Sequence, residues 1–356
     1  MKKIKCKMCD FTANDGNLVP HVQENHPEIT LKQYMDKHGG ETSLIDQAIL
    51  DATKPVKGTS VDLFGIEFKK RTGLDAKLKT MVPKVDTNYS FQDFTGDVCY
   101  DISKAHPVAL TGHCGTGKTS LIYQLAAKLG VPVMRVNTNQ QTTIADFVGT
   151  WIVKGGEMQW VDGALPFAMR HGCWLIIDEI DYAEPAILSA LNAVLEPART
   201  LMLKEKGDEI VEAHDDFRIF STGNTLGQMS EFRSLYQGTS IMNEAFIDRW
   251  RLYLVGYLPE ALEVKVVAGA VDGMTEKVAR RLVQVASAVR KAFVEETMQC
   301  TFSTRRLIDW AEMLVRHSSS GPDAPVKAAE NTIFSKVSRE DATAFRGYLQ
   351  RVFFGR

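Results

Sequence analysis

Short apolar runs without alternation recur through the middle of the chain, at Val108–Thr111, Val133–Asn137, 175–178, 219–222 and 252–255. Runs of this length with no polar face are those of strands buried on both sides. Five of them alternating with helical stretches predict an α/β fold, a doubly wound parallel sheet, over residues 96–258. After Pro259 the strand pattern stops. Val278, Leu282, Val285, Val289 and Phe293 recur at spacings of three and four, as do Leu307, Trp310 and Leu314, so each set marks one buried helix face. Ser303 is the predicted N-cap of the second of these helices. Residues 318–325 break the helical pattern, and a last amphipathic helix is expected near 342–353.

Two segments interrupt the strand–helix alternation. Residues 138–170, with Trp151, Trp160 and the Gly155-Gly156 pair, predict a hairpin ahead of the third strand. Residues 196–216 predict another, turning near Gly207-Asp208, with seven acids against three basic residues. Upstream, the polar stretch 51–60 has no periodicity and follows a short helix expected near 44–50. The resulting domain boundaries are 1–45, a linker over 46–60, an α/β domain over 61–258 and a helical domain over 259–356. Lys69, Lys70, Arg71, Lys77 and Lys79 form a basic cluster near the start of the third segment, read as a solvated face in preference to an inter-subunit contact.

Between the first strand and a helix the chain reads Gly112-His113-Cys114-Gly115-Thr116-Gly117-Lys118-Thr119, followed by Ser120. Glycines in this pattern let backbone N–H groups turn inward around phosphates, Lys118 reaches the β and γ oxygens, and Thr119 is placed to ligate Mg²⁺. The strand at 175–178 ends in Asp178 and Glu179. Asp178 is expected to hold Mg²⁺ through water and Glu179 to polarise an attacking water. Asn224, at the end of the next strand, is expected to help orient that water. Arg249 falls just before the last strand, where it is better placed to meet a neighbouring subunit's nucleotide than its own; pairing with Asp248 is the alternative. Arg305 and Arg306 lie in the first turn after Ser303, free to contact phosphate.

These residues together resemble the AAA+ ATPases of the MoxR group, and within it the ATPase subunit of aerobic cobaltochelatase. Asp146-Phe147-Val148-Gly149, Gly163-Ala164-Leu165-Pro166, Asp178-Glu179-Ile180-Asp181 and Leu235-Tyr236-Gln237-Gly238-Thr239 carry the likeness, which covers roughly residues 61–320. The resemblance implies an AAA+ fold with a C-terminal helical lid, ATP and Mg²⁺ as ligands, and hydrolysis of ATP. It implies Lys118 and Thr119 as Walker A, Asp178 and Glu179 as Walker B, Asn224 as sensor 1, Arg249 as a trans arginine finger and Arg305 as sensor 2, with Arg251 and Arg306 as the fallbacks for the last two. It also implies a hexameric ring with the hairpins facing the pore, and a protein partner bearing a von Willebrand factor A domain. In the cobaltochelatase branch that partnership drives metal insertion into a corrin ring.

Composition changes this picture little. With 356 residues, 44% hydrophobic and 24% charged, the chain is long enough for a large core and a smaller module. No apolar stretch approaches the ~20 residues that span a bilayer, so a membrane location is not expected and a cytoplasmic one is. Six cysteines, scattered and partly in metal-like spacing, point to a reducing compartment. The net charge of −2 gives no global pull toward nucleic acid.

The N-terminus lies outside the resemblance. Cys6, Cys9, His21 and His26 are spaced close to a C₂H₂ finger, and with Phe11 and Leu18 as a small core they are the expected ligands of Zn²⁺. The alternative is a metal-free tail. Six lysines, no arginine and five acids in residues 1–40 leave the finger little phosphate-binding charge, so protein docking is slightly favoured over DNA. Three functions follow: an ATP-driven remodeller of a protein partner, favoured by the acidic second hairpin; a DNA-recruited ATPase; and a nucleotide-gated scaffold with little turnover.

Overall fold

The protein is described here by a computed structural model covering residues 4–5, 12–13, 60–139, 141–225 and 242–355. The chain divides into two compact units, residues 1–60 and 61–356. In the first, β1 (Ile4–Lys5) pairs antiparallel with β2 (Thr12–Ala13). Cys6, Cys9, His21 and His26, the expected zinc ligands, lie outside the described residues, as does the helix expected near 44–50.

Along the rest of the chain come β3 (Ser60–Leu63), β4 (Ile66–Lys69), α1 (Ala76–Thr80), α2 (Thr95–Ser103), β5 (Val108–Thr111), α3 (Lys118–Leu129), β6 (Val133–Asn137) and α4 (Ile144–Val148). Then follow β7 (Gly149–Lys154), β8 (Glu157–Asp162), α5 (Ala164–His171), β9 (Trp174–Asp178), α6 (Pro185–Leu195), β10 (Thr200–Leu203), β11 (Glu209–Glu212), β12 (Arg218–Gly223), α7 (Glu244–Ile247) and β13 (Arg251–Leu254). Five helices complete the unit: α8 (Glu260–Ala270), α9 (Glu276–Val294), α10 (Thr304–Arg316), α11 (Ala324–Thr332) and α12 (Arg339–Phe354).

The central sheet has the order β13-β5-β12-β9-β6, with every neighbour parallel. An inner strand, β9, explains the unbroken apolar runs. Along β9, Leu175 and Ile177 enter a core with Phe147, Leu165, Met169 and Leu191. Trp174 and Ile176, pointing the other way, enter a core with Ile122, Leu125 and Phe220. Both faces are dry, so alternation of residue direction leaves no alternation of polarity. The register pairs Gly223 with Thr111 and Asn137 with Asp178, so the C-terminal ends of β5, β6, β9 and β12 form one edge. That edge carries the phosphate-loop sequence, the paired carboxylates and Asn224.

Residues 259–355 pack around Trp310, Phe302, Phe345, Leu282, Val285 and Val289. Ser303 caps α10 as expected, its side chain accepting from the Arg306 N–H at 3.1 Å. The expected break at 318–325 is shorter: a 3-10 segment spans Ser318–Asp323 and α11 then starts, with Pro325 in its first turn. Proline is tolerated there because the first N–H groups of a helix have no partner within it. The last helix begins earlier than expected, behind the Ser338 cap.

Both insertions are hairpins. β7 and β8 pair across Gly155 and Gly156, and β10 pairs with β11 across a 3-10 turn and Gly207. Trp151 of the first donates its indole N–H to the Glu205 carbonyl of the second at 2.8 Å, joining them. The basic cluster near residue 70 is not all solvated. Lys69, Lys70, Lys77 and Lys79 are exposed, whereas Arg71 donates to the carbonyls of His171 and Gly172 and pairs with Asp216 at 3.6 Å.

Candidate functional site

The phosphate-loop sequence links the end of β5 to the start of α3. Gly112 has φ 151°, and a Cβ there would stand 2.2 Å from the Val255 carbonyl oxygen. Gly115 has φ 74°, and a Cβ would stand 2.1 Å from the Cβ of Ser303. The loop is therefore wedged between β13's exit and the cap of α10, which any side chain at these two positions would force apart. Thr116 ties the loop across its own width, its hydroxyl donating to the His113 carbonyl at 3.0 Å.

The side chains of His113 and Cys114 do not behave alike in this loop. The His113 ring stacks on Tyr257 and meets Phe293 edge-on, with centroids at 6.2 and 5.5 Å. Burial, helped by the Lys118 charge, lowers its pKa from the ordinary histidine value. Cys114 is exposed, and its carbonyl accepts from the Tyr257 hydroxyl at 3.0 Å. Tyr257 was missed from the sequence because it lies in a short connection between β13 and α8 with no motif of its own.

Lys118 folds back over the loop. Its ammonium donates to the carbonyls of Gly112 at 2.7 Å and His113 at 3.0 Å, and to Asn224 Oδ1 at 3.1 Å. Burial lowers its pKa, opposed by nearby Cys114, Asp181, Asp178 and Glu179. An ammonium held by three neutral acceptors in a cluster of carboxylates is poised for a stronger anion.

Asp178 is 5% exposed and accepts from Thr119 Oγ1 at 3.1 Å, from the Thr222 hydroxyl and from Arg135. A hydroxyl and a buried carboxylate side by side at the end of the loop are hard oxygen donors, and they fit Mg²⁺. Arg135 and Thr222 were not singled out from the sequence. Neither belongs to a motif, and only the pairing of β6, β9 and β12 brings both to Asp178. Thr138 completes the shell by donating to the carbonyls of Asp178 at 2.9 Å and Glu179 at 2.6 Å.

Glu179 departs from the strand in the left-handed region, φ 59° and ψ 42°, a rare conformation for a non-glycine residue. The turn carries its carboxylate off the sheet and into solvent. Burial of part of the group, then the charges of Asp178 and Asp181, raise its pKa from the ordinary glutamate value. Backbone strain and a perturbed acid at one position mark a functional site more often than a structural one.

Arg305 lines a cavity of about 600 Å³ together with Gly115, Thr116, Gly117, Ser120 and Ile308. Arg306, its fallback, is instead turned back on Thr301, whose carbonyl it donates to at 3.2 Å. The cavity is bounded by the loop on one side and by α8 and α10 on the other, the dimensions of a nucleotide pocket.

Arg249 is brought to a different place. It precedes β13, whose first residue Arg251 lies opposite Val108, whereas the phosphate loop leaves from the far end of β5 after Thr111. The two are separated by the length of that strand, roughly 13 Å at ~3.3 Å per residue. Its guanidinium is not paired with Asp248, the alternative partner in the sequence, but with Glu196 Oε1, at 2.8 Å from Nε and 2.7 Å from Nη2. A cleft of about 520 Å³ opens beside it, lined also by Lys104, Arg199 and Arg251.

The chain is similar to known proteins over much of its length. Residues 107–249 match the AAA domain (dynein-related subfamily), and residues 263–352 match the CbbQ/NirQ/NorQ C-terminal family. Over 261 residues the chain is 34% identical to the aerobic cobaltochelatase subunit CobS of Sinorhizobium sp, covering 70% of this chain and 78% of that one. It is 30% identical over 225 residues to protein NorQ of Paracoccus denitrificans, covering 63% and 78%. It is 32% identical over 180 residues to protein CbbQ of Hydrogenophilus thermoluteolus, covering 51% and 64%. No helix among the described residues is long and apolar enough to cross a membrane. With a phosphate loop, a carboxylate pair and matches running from residue 107 to residue 352, the chain belongs to the MoxR-like AAA+ ATPases of the CobS, CbbQ and NorQ group, and it is an enzyme that hydrolyses ATP with Mg²⁺.

Proposed function

We propose that the protein works as a homo-oligomeric ring, a hexamer by its resemblance, in which ATP is hydrolysed between adjacent subunits and the energy remodels a protein partner. The observation that carries this is the placement of Arg249 at the opposite edge of the sheet from the phosphate loop of its own subunit. An arginine there cannot serve its own triphosphate, but it can serve a neighbour's.

In this mechanism Glu179 accepts a proton from the attacking water, and the amide of Asn224 orients that water. Lys118 leaves the carbonyls of Gly112 and His113 for the β and γ oxygens of ATP. Thr119 and Asp178 would hold Mg²⁺, which would neutralise phosphate charge. Arg249 of the neighbour meets the charge developing on the γ-phosphoryl, a contribution of about 10³ to 10⁵ in rate. Arg305, at the start of α10, contacts the same phosphates from the lid, so loss of the γ-phosphate frees the lid to turn against the sheet.

The partner is proposed to be a protein, with a von Willebrand factor A domain as the resemblance implies. Support comes from the hairpin β10–β11, which carries Glu205, Asp208, Glu209 and Glu212 beside exposed Met202 and Ile210 and would repel a phosphate backbone. A Zn²⁺ finger at Cys6, Cys9, His21 and His26, docking protein in preference to DNA, is part of the proposal on its spacing alone.

Replacing Glu179→Gln tests the core of the proposal. Nucleotide binding, followed with a fluorescent ATP analogue, should persist while turnover falls by about 10² or more. Turnover at the unsubstituted rate would remove Glu179 from the mechanism.

A further inference from the structure

Asp181 is 1% exposed, in the 3-10 turn Ile180–Tyr182 that follows the carboxylate pair. Its Oδ2 accepts from the N–H of Asn224 at 2.9 Å, the N–H of Thr225 at 3.0 Å and the hydroxyl of Thr225 at 3.1 Å. Its Oδ1 has no hydrogen-bond partner among the described residues. Burying a carboxylate is costly unless donors surround it, and an oxygen buried without a donor calls for an explanation.

That position is where the pairing of β12 with β9 ends, while β12 stays paired with β5 as far as Gly223 opposite Thr111, the Gly112 N–H donating to the Gly223 carbonyl at 3.3 Å. The backbone ladder between β12 and β9 runs from Arg218 opposite Trp174 to Ser221 opposite Ile177. Beyond it the two strands diverge, one into Asp178 and Glu179, the other into Asn224. The connections that remain are side-chain bonds: the Glu179 N–H to the Thr222 hydroxyl at 3.3 Å, the Thr222 hydroxyl to Asp178, and the three bonds to Asp181. Asn224 is thus held at its backbone by Asp181, while its amide oxygen is engaged by Lys118 at 3.1 Å.

We infer that Asp181 is the positioning residue for Asn224, clamping its backbone to the turn that carries Glu179 so that only the side-chain amide changes partner when phosphate draws Lys118 away. The inference rests on the role proposed above for Asn224. A displacement of Asn224 by ~1 Å would leave ATP binding intact and misplace the water, an error that can cost up to about 10²-fold in rate.

The test is a double-mutant cycle of Asp181→Ala with Asn224→Ala in the full chain, reading kcat, KM for ATP and the affinity for a fluorescent ATP analogue. Asp181→Ala should lower kcat by about tenfold or more with KM and affinity within about threefold, and the double variant should be no slower than Asn224→Ala alone. Asp181→Asn, which keeps an acceptor oxygen for the same N–H groups, should recover part of the loss. Should the alanine variant fail to fold by thermal melting, Asp181→Asn in both backgrounds makes the same comparison. Losses that multiply in the double variant would overturn the clamp and make Asp181 a residue of the fold only. Full turnover in Asp181→Ala beside a slow Asn224→Ala would overturn it as well, leaving the role of Asn224 intact. Full turnover in Asn224→Ala itself would instead remove the premise.

Discussion

Two arginine–glutamate pairs in this subunit have the same chemistry and opposite settings. In the lid, Arg290 and Glu263 form a two-pronged pair, both contacts at 2.7 Å, with side chains 10% and 0% exposed. Further bonds hold both partners: Arg290 Nε donates to the Phe302 carbonyl at 2.7 Å, and Thr304 donates to Glu263 at 2.7 Å. The guanidinium lies 3.8 Å over the Tyr257 ring, whose hydroxyl reaches the loop at Cys114. At the far edge of the sheet, Arg249 and Glu196 are 32% and 49% exposed, and Glu196 has no second donor holding it among the described residues.

Water decides what each pair can do. An ion pair sealed from water cannot trade partners without leaving a bare charge, so it acts as a fixed joint between α8 and α9, beside the Tyr257 that reaches the loop. A pair half in water is worth only about 0.2–1 kcal/mol, so its arginine can leave for a better anion at little cost. The pair inside the lid is therefore fixed, whereas Arg249 is held loosely enough that the proposed capture by a neighbour would cost little.

Arg249→Ala should have the largest effect of all, a loss of about 10³ to 10⁵ in ATPase rate in assembled subunits, with a thermal midpoint close to that of the unsubstituted protein. A large fall in thermal midpoint would put Arg249 in the same class as Arg290. Next, Arg290→Met should destabilise the subunit by about 3–5 kcal/mol, because Glu263 is left buried without a counter-charge, and Glu263→Gln added to it should restore part of that loss in a denaturant melt. Tyr257→Phe removes a hydrogen bond to the loop and another to the Thr301 hydroxyl and should cost about 0.5–1.5 kcal/mol for each, seen first as weaker ATP binding. Glu196→Gln should change stability by less than about 1 kcal/mol, measured by the same melt. A larger loss would mean that the exposed pair is a joint too.

Much of this subunit is visible in its residue pattern, for physical reasons that differ by region. β5, β9 and β12 lie close to the apolar runs because a strand buried on both faces has no other way to be written, whereas the edge strands β6 and β13 match their runs without the double burial expected of them, Leu252 and Leu254 being exposed. The loop Gly112–Thr119 and the acids at the end of β9 are legible because phosphate chemistry requires those residue types in that order. α11 escaped because its buried face is Ala324, Ala328 and Ala329, small residues that give a weak periodic signal, and because the proline run ahead of it reads as a stop. The β3–β4 hairpin escaped because its turn places Phe64 at φ 56°, a position where sequence rules look for Asn or Gly. Arg135 on β6 and Thr222 on β12 converge on Asp178, and Asp181 in the turn after β9 meets Asn224 beyond β12; no local pattern records such convergence.

The most direct test of a site shared between subunits is to mix two inactive variants. Arg249→Ala keeps its own loop and Glu179, and Glu179→Gln keeps its own arginine. Each should be slow alone. Mixed in equal amounts, they form some junctions that contain both intact groups, and ATPase activity should reappear, highest near the equal ratio. If the mixture stays as slow as its components, or if Arg249→Ala alone hydrolyses ATP at the unsubstituted rate, Arg249 does not act across the junction and the shared site is wrong.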